Sequence, residues 1–403
     1  MENVVQQIEL LLLIAAIVAM VGNRLRMPYI VGLVLAGIGL SFTHLPIQIP
    51  LTRDLVFYIL LPPLIFEAAF YIPWKDLRRD LLIIMVFATL GVALSAAVTA
   101  FGMHRWAEWE WPAALCFGAL IAATDPVSVI ATFKEAGVHG RLRLLLEAES
   151  VINDGTAAVA FTVAVAFAGG GDNAPDAWQA VQLLLLNVFG GVLCGAVLAS
   201  FVLLLAGRTD DHLVEITFTT IAAWGSFLLA EHYHVSGIIA CMTAGLILGN
   251  YGNLGAVSGF GRKAVTAFWE YAAFVSNSII FILIGMHEAK QHILAVAVPA
   301  AIAVGLVVLG RAVAIYPIAL MFRGSRWRVK MKHQHVLFWG GLRGALALAL
   351  ALSLPDDMAE RDDIVTVAFA VVAFSVFVQA TTMAPLLRHF KEIPAHFKKA
   401  GRH

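Results

Sequence analysis

Apolar residues in this chain fall in long runs separated by short connections that carry most of the charge, glycine and proline. Runs long enough to cross a hydrocarbon core of roughly 30 Å lie at about 8–22, 28–42, 54–72, 80–102, 112–133, 144–168, 180–206, 213–231, 235–250, 265–286, 292–321, 333–354 and 363–387. The pattern predicts an all-α polytopic membrane protein with about 13 transmembrane helices. The first, second and ninth runs are short, and one of them is a candidate for a re-entrant segment. Composition agrees: 60% of the residues are hydrophobic and 13% charged, against roughly 45–50% and about 25% in soluble domains.

The basic residues test the count of spans. With the N-terminus outside, 21 of the 27 Lys and Arg fall in cytoplasmic connections or the tail, and four (Arg53, Arg105, Lys290, Arg361) fall outside. The cytoplasmic set is Arg24, Arg26, Lys75, Arg78, Arg79, Lys134, Arg141, Arg143, Arg208, Arg262, Lys263, Arg323, Arg326, Arg328, Lys330 and Lys332, with Arg388, Lys391, Lys398, Lys399 and Arg402 in the tail. Such a bias follows the positive-inside rule and supports an odd number of spans with the C-terminus in the cytoplasm. Merging any two spans would scramble it. No basic residue precedes the first run, which argues against a cleaved signal peptide. The chain reads as one transmembrane unit over 1–403. Residues 388–403 form a short basic tail, and no soluble regulatory domain is expected. Cys116, Cys194 and Cys241 sit inside apolar runs, with no disulfide or metal pattern.

Arg311 and Arg343 remain inside spans, together with several acids. At about 1.5 Å per residue, Asp154 lies roughly 16 Å in from the cytoplasmic start of the sixth span. Asp125, Arg311 and Arg343 reach a similar depth in the fifth, eleventh and twelfth spans. Glu149 and Glu67 lean toward the cytoplasmic side. Charges at this depth are costly and mark function by default, so spans 3, 5, 6, 11 and 12 are expected to meet around one polar site. Arginine does not give up its proton. The plainer reading of Arg311 and Arg343 is therefore a static pairing that holds helices together, with Glu149 paired to an arginine. Asp125 and Asp154 read as a cation and proton site. Glu147, nearer the surface, reads as a solvated or interfacial charge. The stretch Glu231-His232-Tyr233-His234 mimics a metal motif but reads as a short outer connection.

Two spans carry helix breakers at that depth. Thr124-Asp125-Pro126 puts a proline in the fifth, and Gly340-Gly341-Leu342-Arg343-Gly344 loosens the twelfth. Non-helical backbone at membrane depth is tolerated only within protein or along a cavity. Six spans (about 8–168), a linker span (180–206) and six more (213–387) make the two halves inverted repeats, with the interrupted, crossing helices in corresponding positions. That arrangement points to a transport site. Ser150 stands one helical turn from Asp154. Carboxylates, the Ser150 and Thr124 hydroxyls and backbone carbonyls freed at the breaks make an oxygen set suited to a hard monovalent cation. No Gly-rich phosphate loop is present, so nucleotide-driven pumping is disfavoured.

These motifs resemble the monovalent cation/proton antiporters of the NhaP and sodium/hydrogen exchanger type. The matching pieces are Phe66-Glu67-Ala68, Ala123-Thr124-Asp125-Pro126, Glu149-Ser150 through Asn153-Asp154-Gly155, Gly310-Arg311 and Gly340 to Gly344, and together they span the chain. The resemblance implies secondary active exchange of Na+, with Li+ or K+ as alternatives, for H+ by alternating access. It implies Asp154 as the carboxylate that takes proton or cation in turn. Asp125, Thr124, Ser150 and Glu67 become further members of the ion site. It implies a pair between Glu149 and an arginine, Arg311 by position, and a structural role for Arg343. Asn153 beside Asp154 implies electroneutral one-for-one exchange. It further implies a homodimer with a mobile core domain in a bacterial inner membrane, and no enzyme activity, cofactor, nucleotide or nucleic-acid partner.

Burial disfavours an empty, charged site, so the core is expected to swing only when proton or cation is bound. Two other classes fit less well. Intramembrane aspartyl proteases carry Gly-x-Gly-Asp, which neither Asp125 nor Asp154 has, and a cation channel would show filter repeats or charged rings.

Overall fold

The computed structural model describes residues 2–25, 27–43, 50–125, 127–136, 138, 140–169, 176–206, 211–251, 259–288, 296–358 and 360–393. Of the positions singled out above, Arg26, Pro126, Arg208, Lys290, Lys398, Lys399, Arg402 and the side chain of Lys134 lie outside the described residues, as does 394–403 of the tail.

Among the described residues all regular structure is helical. The helices are α1 (Glu2–Leu25), α2 (Tyr29–Ser41), α3 (Leu61–Phe70), α4 (Trp74–Val86), α5 (Val92–Trp106), α6 (Trp111–Leu120), α7 (Val127–Ala136), α8 (Arg141–Gly169) and α9 (Ala177–Ala206). They continue as α10 (His212–His232), α11 (Gly237–Tyr251), α12 (Gly259–Glu288), α13 (Ala297–Met321), α14 (Met331–Trp339), α15 (Ala345–Leu352), α16 (Arg361–Phe374) and α17 (Thr381–His389). Wider π-helical turns, Leu55–Leu60, Phe87–Gly91 and Ser375–Ala380, lead into α3 and join α4 to α5 and α16 to α17. A helix, whole or interrupted, covers each of the thirteen apolar runs. Seven described helices are long and apolar enough to cross a membrane by length and composition, and five further apolar helices are shorter. The fold is all-α, and the chain is an integral membrane protein.

Packing sorts the helices into two groups. In one, α5 lies against α6 and α13, α8 against α4 and α6, and α16 against α13 and α15. In the other, α2 lies against α12, α3 against α11 and α12, and α9 and α10 against α11. Contacts between the groups are sparser and run mainly from α8 to α3, α9 and α11. On the outer faces Trp178, Phe189, Leu193, Phe201 and Leu204 of α9 stand exposed. Large apolar side chains turned outward suit a hydrocarbon solvent, because lipid tails are as apolar as leucine.

Candidate functional site

The two breaks expected from sequence are present and they cross. A residue before proline is pushed out of helical geometry, and the chain is non-helical from Ala123 to Asp125, between α6 and α7. Residues 341–344 are non-helical between α14 and α15. The Asp125 N–H donates to the Leu342 carbonyl at 2.7 Å, which stitches one break to the other. Glycine is required here by close approach. A Cβ on Gly344 would land on the Asp125 carboxylate, and one on Gly341 would land on the Arg311 guanidinium.

Half-helices leave unpaired N–H groups at their starts and unpaired carbonyls at their ends. Each set finds a charge of the right sign. The Asp125 carboxylate accepts the Val127 N–H at 3.0 Å and the Ala345 N–H, the first residues of α7 and α15. Arg343 Nη1 donates to the carbonyls of Ala122 (2.6 Å) and Ala123 (2.9 Å) just past α6. Arg311 donates through Nε (3.3 Å) and Nη2 (3.1 Å) to the Leu337 carbonyl in the last turn of α14. The sequence reading expected free carbonyls near Asp125 to help hold a cation. In the structure each of these carbonyls also accepts a hydrogen bond: Arg343 donates to those of Ala122 and Ala123, and the Ser150 hydroxyl to that of Thr124 at 2.6 Å.

Helix α8 separates its charges onto two faces. Arg143, Glu147, Ser150, Val151 and Asp154 recur at helical spacing and line a cavity of about 340 Å³. Glu149 and Asn153 point the other way. Glu149 is 1% exposed, and its two oxygens accept Arg311 Nη1 at 2.7 Å and Nη2 at 2.9 Å. Asn153 donates to Thr124 Oγ1 (3.1 Å) and Glu149 Oε1 (3.3 Å), so this amide ties α8 to the break. Asp154 has neither a hydrogen bond nor an ion pair among the described residues, although Asp125 and Glu149 lie close enough to repel it.

The cavity lies between the two helix groups. From one side it is lined by Asp125, Thr124, Asp154, Ser150 and Gly344; from the other by Glu67, Tyr71, Glu270 and Asn277, and by Tyr29. Tyr29 stacks on Phe274 and shares a hydrogen bond with Ser278 at 2.6 Å. Span 11 meets the crossing through Arg311, which bonds Glu149 and the Leu337 carbonyl. Arg311 and Arg343 do not line the cavity and act from behind the crossing. Glu147, expected as a solvated or interfacial charge, is partly exposed, accepts from Arg143 Nε at 2.7 Å, and lines the cavity with it. Sequence reasoning passed over Glu270, Asn277 and Tyr71. Glu270 had a signal, an acid inside the tenth apolar run, but span 10 carries no helix breaker to draw attention to it. The Glu231 to His234 stretch takes no part in the cavity.

A model of the family described as sodium/hydrogen exchanger, transmembrane, matches residues 10–389. The chain belongs to this family. The Na(+)/H(+) antiporter ApNhaP of Aphanothece halophytica is 37% identical over 370 residues, covering 90% of this chain and 69% of that protein. The Na(+)/H(+) antiporter NhaH of Halobacillus dabanensis is 32% identical over 407 residues, covering 96% of this chain and 98% of that protein. The sodium proton antiporter MjNhaP1 from Methanocaldococcus jannaschii shares the fold, with a TM-score of 0.74 at 19% identity over 96% of this chain and 99% of that one. Membership in the exchanger family makes this chain a transporter rather than an enzyme, with the transported ions as its ligands.

Proposed function

We propose that this chain exchanges one Na+ for one H+ across the membrane, with both competing for Asp154. One observation carries the reading. Among the described residues no fixed donor or cation serves Asp154, an acid of the crossing that opens onto a cavity between two helix groups. Glu149 is saturated by Arg311. Asp125 faces two helix starts, whose partial positive charge favours a carboxylate. Only a mobile charge, proton or metal ion, is left to neutralise Asp154.

Asp154 and Asp125 supply the carboxylate oxygens for the cation. The Ser150 hydroxyl donates its hydrogen to Thr124 and so turns its lone pairs to the ion. Thr124 and Glu67, also on the cavity wall, complete the set. These are hard oxygen donors, as Na+ prefers, and relatives named Na(+)/H(+) antiporters support Na+ as the cation. Asn153, Arg311 and Arg343 hold the site in shape. One Na+ or one H+ neutralises the Asp154 carboxylate equally, which supports electroneutral exchange. An empty site keeps its charge and resists passage through hydrocarbon, so transit requires a load. The group α4–α8 with α13–α17 is the part that moves, as half of each inverted repeat (8–168 and 213–387), against the remaining helices. The cavity opens toward the ends of spans 3 and 5 and the start of span 6, the cytoplasmic side when the N-terminus is outside. A homodimer in a bacterial plasma membrane is the setting.

Proteoliposomes carrying an internal pH dye test this. Imposed Na+ gradients should move protons in the opposite direction, and clamping the membrane potential with K+ and valinomycin should leave the rate unchanged. Exchange that persists in Asp154→Asn would refute the assignment.

A further inference from the structure

Seven cations from two distant segments meet at one end of the first helix group. Lys75, Arg78 and Arg79 stand exposed on the first turns of α4, and Arg323, Arg326, Arg328 and Lys330 stand exposed on the connection between α13 and α14. None of the seven forms an ion pair among the described residues, and one exposed acid, Asp76, accompanies them on α4. The segments are held together rather than drifting. Trp327 Nε1 donates to the Arg79 carbonyl at 3.1 Å. Arg141, at the start of α8, pairs with buried Asp80 at 2.7 Å and donates to the carbonyls of Arg328 (2.7 Å) and Trp327 (3.0 Å). Arg326 lies over the Trp327 ring at 4.3 Å. Arg141 thus consumes buried Asp80, which leaves the outward cations without an acidic partner among the described residues.

The border of the patch is apolar. Leu320 (64% exposed), Met321 (71%) and Met331 (61%) turn outward at the adjoining ends of α13 and α14. A surface that joins clustered guanidinium groups to exposed apolar side chains matches an amphiphile whose head is an anion. Arginine binds phosphate oxygens through paired N–H donors, and each basic residue near an anionic membrane surface contributes about 1 kcal/mol. We infer that this patch is a binding site for anionic phospholipid headgroups, with the acyl chains lying along Leu320, Met321 and Met331. A soluble phosphate would use the cations alone, whereas a phospholipid also lays its chains on the apolar border.

The test is thermal unfolding of the purified full chain in neutral detergent, with phosphatidylglycerol, phosphatidylcholine, glycerol phosphate or inorganic phosphate added at equal concentration. Phosphatidylglycerol should raise Tm by roughly 3 °C, as expected for a ligand near saturation, and the other three should not. The variant Arg323→Gln/Arg326→Gln/Arg328→Gln/Lys330→Gln should lose that increment while keeping its unliganded Tm and its exchange rate in neutral vesicles. Arg78→Gln/Arg79→Gln should lose part of it, and Arg262→Gln/Lys263→Gln, which alters exposed cations elsewhere, should lose none. An equal increment from inorganic phosphate, or an undiminished one in the four-residue variant, overturns the proposal. If the four-residue variant fails to fold, Arg78→Gln/Arg79→Gln decides, and a full increment there overturns it too.

Discussion

Glu149 and Asp154 are five residues apart on one helix and carry the same charge, yet they sit in opposite surroundings. Glu149 is buried against a guanidinium that meets both its oxygens. Asp154 faces a cavity and has no fixed partner among the described residues. A buried charge with a permanent counter-charge becomes part of the scaffold. A charge at the same depth without one must take its neutraliser from solution, and a site that accepts either of two ions can exchange them. The two faces of α8 therefore separate holding from transport.

That contrast can be broken by removing each charge in turn. Asp154→Asn should lower exchange at least about 100-fold, the loss expected when the group that binds both ions is gone, with no fall in Tm. Glu149→Gln should instead destabilise the fold by about 3–5 kcal/mol, since it strands a buried guanidinium; thermal unfolding in detergent reads this directly. If Glu149→Gln leaves Tm unchanged, the scaffold role is wrong.

Smaller changes sharpen the comparison. Gly344→Ala puts a methyl group onto the Asp125 carboxylate and should cost about 1–3 kcal/mol, as overpacking does, with a clear loss of exchange. Asn153→Asp removes the N–H donor to both Thr124 and Glu149. It should cost about 1–3 kcal/mol, since the Thr124 hydroxyl loses its donor and the new carboxylate faces Glu149. The smallest effect is expected at the mouth of the cavity. Arg143→Gln breaks a local pair with Glu147 and should change stability by less than about 1 kcal/mol, with only a modest shift in the Na+ concentration for half-maximal rate.

The helices and both breaks were legible because lipid demands long apolar runs and because proline and clustered glycine disrupt them visibly. That Glu149 pairs with an arginine was legible because opposite charges within the bilayer have to meet, and the family resemblance pointed to Arg311. The direction of the arginines was not. Their role in closing helix ends depends on which way carbonyls point at a crossing, and residue type carries no such information. The π-helical turns at Leu55–Leu60, Phe87–Gly91 and Ser375–Ala380 also left no signal, because a π-turn consists of ordinary helix formers with one residue too many for the turn. Tyr71, Glu270 and Asn277 reach the cavity only because α3 and α12 pack side by side, a relation that spacing within either helix does not reveal.

The central claim is competition between proton and Na+ for one carboxylate, and the most direct measurement is the Na+ concentration for half-maximal exchange across a pH series in proteoliposomes. Below the pH at which the site takes up its proton, that concentration should rise about tenfold for each unit of falling pH. A half-maximal concentration that does not move with pH would mean that the two ions bind at separate groups, and would contradict the account.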